Sequence, residues 1–568
     1  MRFHLPILEW LPRYNRAQLS GDISAGITVG IMLIPQGMAY AMLAGLPPIY
    51  GLYASTIPLI IYAILGTSRQ LAVGPVAMVS LLVASGVGAI AELGSDSFIS
   101  LAILLALMVG VIQLLLGILR LGFLVNFLSH PVIAGFTSAA ALIIGFSQLK
   151  HLFGLDIPRG KVHETIINVF DQIENINIPT VLIGMGAIIL ILVLRKVNRK
   201  IPSPLIVVLL GLALVYFLNL NEIGVKIIKD VPSGLPSFGV PHVAGSSIMS
   251  LLPIAITISL ISYMESYAVA KAIHTKHKDY TIDPNQELIG LGAANIFGSF
   301  FSSFPVTGGF SRTAVNDQAG AKSGIAAIIS AAIVILTLLF LTPYFYYLPK
   351  AVLAAIIMVA VFGLIDFPEA VHLWKKDKFD FLTFTITAAA TIFIGIEPGI
   401  AIGVLFSLLV VLYRVSYPHI AELAQVPNSH AFRNVTRFDE LSGNDSTLIL
   451  RLDAQLFFAN CEGFKNSILS KIDNRKGITK IIIEASGIHH LDSSSIHMLK
   501  DLYQDLIEHE VQLQFADVKG PIRDIFKLNE LYMLIGKDNF FLSVEDALKG
   551  DDELETPMNE KYIFQSTK

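Results

Sequence analysis

The chain has 568 residues, of which 54% are hydrophobic and only 15% charged, with a mean hydropathy of +0.66. Soluble domains carry about 25% charged residues, so this balance excludes a purely soluble protein. Apolar runs of roughly 18 residues or more recur between Gly26 and Val415 and define a polytopic membrane protein embedded in a lipid bilayer. The net charge of -4 points to no nucleic-acid partner, and the single cysteine, Cys461, excludes an intrachain disulfide framework.

Residues 1–20 carry Arg2, Arg13, Arg16 and Trp10 and read as an interfacial lead-in on the cytoplasmic side. No basic segment with a short apolar core and a small-residue cleavage site opens the chain, so no cleaved signal peptide is expected. The transmembrane domain is placed at 21–417. Its first span, at about 21–45, has Pro35-Gln36-Gly37 in the middle. Pro35 removes a helix hydrogen bond and is expected to kink the span. Gln36 either bonds a neighbouring helix or faces a cavity, and the adjacent break favours the cavity.

A second span follows at about 49–66. The polar turn Gly66-Thr67-Ser68-Arg69 then leads into Gly74-Pro75, which breaks the backbone and suits the start of a helix too short to cross alone. Spans at about 98–119, 128–149, 177–195 and 203–220 precede a polar loop, 221–248. The second half starts at about 249–271 and continues at about 286–302, 309–318, 322–341, 347–365, 380–396 and 397–414. That gives fourteen spans, seven in each half.

The stretch Phe304-Pro305-Val306-Thr307-Gly308-Gly309-Phe310-Ser311-Arg312-Thr313 organises this pattern. It is too polar and too broken to span a bilayer, and broken backbone at that depth is tolerated only inside protein or beside a wet cavity. Ser311 and Arg312 start a short helix whose N-terminal amides and dipole, with the arginine, make an anion site. Two interrupted segments, near Gly74-Pro75 and Gly309-Phe310, in corresponding places of two halves are the pattern of an inverted-repeat transporter.

Basic residues place the chain in the membrane. Arg195 to Lys200, Lys271 to Lys278 and Lys375 to Lys378 fall on one side, and Arg159, Lys161, Lys226 and Lys350 on the other. The positive-inside rule then puts both termini in the cytoplasm, with the plasma membrane as the expected location.

Glu265 is the one carboxylate well inside a predicted span. An ionised carboxylate there is costly, so such residues face a cavity and serve function. It is expected to bind a coupling proton; the alternative is a structural partner for a buried arginine such as Arg312, and both can hold. Asp283-Pro284-Asn285-Gln286-Glu287 is read as a helix cap and Glu397-Pro398 as a turn. His274 and His277 are read as members of a solvated basic loop rather than metal ligands.

Hydrophobicity falls after Tyr417, and 418–445 reads as a linker. From 446 to 550 the pattern is α/β, with strands at Thr447 to Leu452, Gln455 to Phe458, Ile478 to Glu484 and Val511 to Val518, and helices at about 461–473, 492–508, 520–528 and 543–549. Residues 551–568 are expected to be disordered. No GxxxxGK[ST] loop, nucleophile–base set or metal cluster stands out. An ATP-driven pump and an enzyme are therefore disfavoured, and no cofactor or metal is expected.

Pro48-Ile49-Tyr50-Gly51-Leu52-Tyr53-Ala54-Ser55, Gly66-Thr67-Ser68-Arg69, Gly74-Pro75 and the run from Asn295 to Asn316 resemble the signatures of the sulfate permease (SulP) family of anion transporters. The soluble tail resembles the STAS domain that these transporters carry. The resemblance covers about 15–550. It implies a helical membrane domain of two inverted seven-helix repeats, split into a core and a gate, with a cytoplasmic α/β STAS domain and a homodimer. Gln36 and Tyr40 match the first-span positions that line the anion pocket. Val76 matches the position after the third-span Gly-Pro, where another member carries a larger aromatic, and Ser311 and Arg312 match the serine–arginine pair of the tenth span. Members with glutamate at Glu265 look like proton–anion symporters. Ser494 falls at the phosphoacceptor position of the STAS loop Asp492-Ser493-Ser494-Ser495; docking of a cytoplasmic protein or assembly is favoured over phosphoregulation there.

The function expected is secondary active transport, proton-coupled sulfate symport first. A bicarbonate, chloride or dicarboxylate transporter or exchanger on the same scaffold, or a membrane sensor signalling through the STAS domain, are the alternatives.

Overall fold

The computed structural model describes residues 5–549 apart from 124–128, 159, 161, 198–201, 242–244, 279, 439, 442–444 and 476. The tail 551–568 lies outside the described residues, as do Arg2, Arg159, Lys161, residues 198–200 and the side chains of Arg13 and Glu397. The chain divides into two units, Met1–Ser407 and Leu408–Lys568.

Each of the fourteen predicted spans coincides with helix. In chain order these are α1 (Arg16–Ala44), α2 (Pro48–Leu65), α3 (Ala77–Gly88), α4 (Asp96–Ile118), α5 (His130–Phe153), α6 (Ile178–Val197) and α7 (Ser203–Leu218). The second half gives α8 (Gly245–His277), α9 (Pro284–Ser299), α10 (Phe310–Gln318), α11 (Ile325–Phe340), α12 (Lys350–Phe362), α13 (Lys378–Phe393) and α14 (Ile396–Ser416). Among the described residues, eight helical segments are long and apolar enough to cross a membrane by themselves. Outward faces carry exposed Leu182, Ile189, Phe217 and Leu405, the surface a bilayer covers.

One span is as expected and one basic stretch is not. The first span is one continuous helix: α1 starts at an Asn15–Gln18 capping box and runs through Pro35 to Gly45, whose φ of +88° ends it. The stretch Lys271 to Lys278, read as a loop, is instead the last turns of α8. No glycine or proline interrupts it, and it stops where Lys278 turns to φ +52°. The sequence also left unassigned two amphipathic helices outside the spans, Val162–Asp171 and Phe367–Lys376.

Helix packing sorts the spans into two groups. One contains α1 to α4 with α8 to α11, led by the α4–α9, α1–α11 and α2–α9 contacts; the other contains α5 to α7 with α12 and α13, led by α5–α13, α5–α12 and α6–α12. α12 and α7 touch α1 across the divide. Before α3 and α10 lie the two-residue strands β1 (Val73–Gly74) and β2 (Thr307–Gly308), which pair antiparallel with Val73 opposite Gly308 and Gly74 opposite Thr307. The two halves therefore meet mid-domain running in opposite senses.

Two fully buried carboxylates hold this arrangement, with no ion pair to either among the described residues. Glu287 accepts from Tyr62 Oη (2.7 Å), Thr67 N (2.7 Å), Thr67 Oγ1 (2.6 Å) and Ser68 N (3.2 Å), fixing the turn that enters β1. Asp22 accepts from Lys322 N, Ser323 N and Ser323 Oγ, fixing the turn that leaves α10, and from Tyr14 Oη. Within the predicted helix-cap segment the N-cap is Asp283, which accepts from the amides of Asn285 and Gln286; Glu287 is the anchor of a distant turn.

The second unit is a six-stranded sheet of order β4-β3-β5-β6-β7-β8, formed by β3 (Ile420–Gln425), β4 (Phe432–Asn434), β5 (Thr447–Leu452), β6 (Lys480–Glu484), β7 (Gln512–Ala516) and β8 (Phe540–Phe541). β5 to β8 are parallel, while β3 runs antiparallel to β5. Both faces of the central strands are buried: Leu448 and Leu450 point to one core and Ile449 to another, which is why these strands read as unbroken apolar runs. Residues 418–445 are thus not a simple linker, since they supply β3 and β4. The alternation of Ala421 and Leu423 with polar neighbours is too short to stand out in sequence. Gln455 to Phe458 is not a strand; it contributes a single bridge from Leu456 to Leu491.

Replacing Glu287 by glutamine sets an NH2 against donors. Carboxylates only accept, and each buried donor left unmet costs about 1–3 kcal/mol. Glu287→Gln is expected to lower the thermal unfolding midpoint of purified protein more than Asp283→Ala, whose lost cap is worth about 1 kcal/mol; nano-scale fluorimetry in detergent checks the order.

Candidate functional site

Arg312, in the first turn of α10, is 2% exposed. Its guanidinium reaches under the start of α3, where Nη1 donates to the carbonyl of Pro75 at 2.6 Å. Nε and Nη2 are buried and have no hydrogen-bond partner among the described residues. The approach depends on glycine. A Cβ built on Gly309 would lie 3.1 Å from Nη2, and one on Gly74, whose φ is +151°, would lie 3.4 Å from it.

The first-turn amides of α3 and α10 have no acceptor within their own helices, and both N-termini carry the positive end of a helix dipole. A buried cation between them makes a strongly anion-seeking point. A cavity of about 60 Å³ opens there. Gln36 and Tyr40 of α1, Val76 before α3, Glu265 of α8, Gly309, and Phe310, Ser311 and Arg312 of α10 all line it, together with Ala77 and Met78 of α3 and with Ala360 and Leu364 at the end of α12. Gln36, Tyr40 and Val76 are buried, while Phe310 and Ser311 are exposed. Gly74 and Pro75 stand against Arg312 rather than on the cavity wall.

Glu265 and Arg312 share the cavity but make no direct ion pair among the described residues. Glu265 Oε2 is buried without a hydrogen-bond partner. The pair expected from sequence is therefore a facing of opposite charges across space, with two orphan nitrogens on one side and an orphan oxygen on the other.

Behind the cavity a polar mesh fixes the crossing. Ala72 N donates to Thr313 Oγ1 (3.0 Å) and Asn316 Nδ2 to Gln70 O (2.8 Å), which join α10 to β1. Gly308 N donates to Ser266 Oγ (2.7 Å) and Thr307 Oγ1 to Ser262 O (2.6 Å), which join β2 to α8. Asn295 accepts from Val306 N and donates to Gln113 Oε1. Sequence reading singled out the stretch holding Val306, Thr307, Gly308 and Thr313 but missed its partners Gln70, Gln113, Ser262 and Ser266 and the α12 wall. The signal was there in part: Gln113 and Asn295 are amides inside apolar spans.

His277 Nε2 hydrogen-bonds Asp317 Oδ1 at the far end of α10, and Lys276 lies 3.6 Å from the same carboxylate. His274 Nε2 contacts the carbonyl of Tyr280. These histidines belong to a helix end and its bonds, and no metal-holding cluster is formed among the described residues.

In the second unit Ser494 is exposed in the first turn of the helix Ser493–Glu508. The N-cap is Asp492, which accepts from Ser495 N (2.8 Å), Ser495 Oγ (2.7 Å) and Phe458 N (2.8 Å). Burial pushes the Asp492 carboxyl up, but these donors outweigh it and hold it below the usual aspartate value.

A helical membrane unit with two half-helices aimed at a buried arginine, followed by an α/β domain, defines an anion transporter. Residues 19–387 match the sulfate permease family and residues 440–547 match the STAS domain. The chain belongs to the sulfate permease family, a family of transporters rather than enzymes. It is 40% identical over 564 residues to sulfate transporter 4.1, chloroplastic, of Arabidopsis thaliana, covering 96% of this chain and 82% of that one. It is 36% identical to high affinity sulfate transporter 2 of Stylosanthes hamata, covering 96% and 86%. The structure resembles that of murine solute carrier 26 family member A9, an anion transporter in the inward-facing state, with a TM-score of 0.88, 28% identity and coverage of 96% and 93%. The transmembrane domain of the cyanobacterial bicarbonate transporter BicA shares the fold at a TM-score of 0.60 and 21% identity, over 70% of this chain and 98% of that one.

Gly309→Ala is expected to push the guanidinium off its position and weaken binding of a sulfate probe about tenfold, equal to about 1.4 kcal/mol, while Arg312→Gln abolishes it. Equilibrium binding to purified protein distinguishes the two. Wild-type affinity in Gly309→Ala would show that the guanidinium is not position-critical.

Proposed function

We propose that this protein is a proton-coupled sulfate symporter of the plasma membrane, with both termini in the cytoplasm. The observation that carries the reading is the placement of Glu265 and Arg312 on one cavity with buried atoms unpartnered on each. An ionised Glu265 repels an incoming anion across a short, poorly screened distance. A protonated Glu265 removes that repulsion and leaves Arg312, the Ser311 hydroxyl and the helix N-terminal amides to hold the anion. Proton and anion then enter as a pair, and acid on the side of origin drives uptake. Sulfate is favoured over bicarbonate, chloride and dicarboxylates because the curated relatives at 36 to 40% identity are named as sulfate transporters. The bicarbonate transporter shares only the fold. The complete site argues against a purely sensory role. The family resemblance supports a working homodimer and a cytoplasmic protein partner for the STAS domain.

Radiolabelled sulfate uptake into proteoliposomes tests this directly. Uptake is expected to rise when the outside is made acidic, and Glu265→Gln is expected to remove that dependence. Uptake indifferent to both the gradient and the substitution would replace symport by exchange or conduction. No sulfate movement under any gradient would remove sulfate as the substrate.

A further inference from the structure

The cavity has two unlike sides. Its side chains able to hydrogen-bond an anion — Gln36, Tyr40, Ser311 and Arg312 — come from α1 and α10, helices of one packing group, and Glu265 comes from α8 of the same group. The other group contributes only Ala360 and Leu364. Ala360 lies in the last turn of α12, and Leu364 lies in the turn that follows the helix. Both are partly buried. Neither side chain carries a donor or an acceptor; the Ala360 amide is used within α12, and the Leu364 amide donates to the carbonyl of Val361 (2.8 Å).

An anion in the cavity therefore takes every hydrogen bond from one helix group and only van der Waals contact from the other. We propose that Ala360, with Leu364 beside it, is a specificity-determining wall that limits the size of the anion and is kept from binding it. The inference rests on the reading of this cavity as the anion site. Transport requires the cavity to open, and α12 is the wall that must part from the ligand. A hydrogen bond from α12 would stabilise the bound state without helping the step that releases it, the situation in which tighter binding slows turnover. The small side chain at Ala360 also leaves space that a larger one would take from the ligand.

The test uses the full chain in proteoliposomes, with sulfate and chloride as probes and both equilibrium binding and initial uptake rates measured. Ala360→Asn is expected to bind sulfate about three- to tenfold tighter, the worth of one added hydrogen bond, while maximal uptake falls. Ala360→Ser, which barely changes volume, is expected to show the same split in smaller measure and serves if the asparagine variant does not fold. Ala360→Leu is expected to lose sulfate affinity more than chloride affinity. A variant protein that merely packs badly would lose affinity and rate together for both anions, and that result overturns the proposal. So do wild-type affinity and rate in all three variants. If the wild-type chain itself binds neither anion, the reading of the cavity fails instead.

Discussion

The hydrogen bond from Arg312 to the carbonyl of Pro75 ties the two halves of the membrane unit together at their most exposed weakness. Each half has a span interrupted near its middle, and each interruption leaves backbone groups that a bilayer cannot satisfy. The two interruptions solve the problem by pairing with each other through β1 and β2. Once paired, they set the amide ends of α3 and α10 against a common point. The arginine that enters there spends one nitrogen on Pro75 and keeps two others unspent. On the proposed reading of this cavity, anion recognition is a by-product of how broken helices are repaired.

The repair needs anchors, and acids supply them more readily than cations do. Glu287 and Asp22 are buried to 0% exposure, and among the described residues their donors are backbone amides and hydroxyls. A cation at either place would bring another charge toward a site that works by presenting an isolated positive one. Neutral donors converging on a carboxylate fix a turn firmly while leaving the long-range field around Arg312 to be set by Glu265. Scaffold and site are therefore separated by chemistry as well as by position.

Much of this was legible from residues. Gly74-Pro75 and Gly308-Gly309 announce breaks because glycine and proline cannot be read as ordinary span interior, and Arg312 stands out because a charge beside such a break at that depth needs a partner or a ligand. The first span was legible through Pro35 because a proline's lost bond does not dictate that a helix stops; α1 packs among α2, α3, α10 and α11 and is continuous. β3 and β4 escaped notice because their strand character comes from pairing, β3 with β5 and β4 with β3, and is not encoded in the six and three residues themselves. Ala360 and Leu364 carried no signal at all: an alanine and a leucine in an apolar helix acquire meaning only from what faces them.

The joining of α8 and α10 has a mechanical consequence. The two helices are fastened at both ends of the shorter one, by Ser266 to Gly308 at its start and by His277 to Asp317 at its finish. α8 passes unbroken between those fastenings. Glu265 and Arg312 thus sit on the two rails of a braced ladder whose width neither can alter. Opposite charges on flexible supports would collapse onto each other and quench. On a braced frame they are held apart, and the imbalance can be relieved only by something arriving from outside: an anion on one rail, a proton on the other.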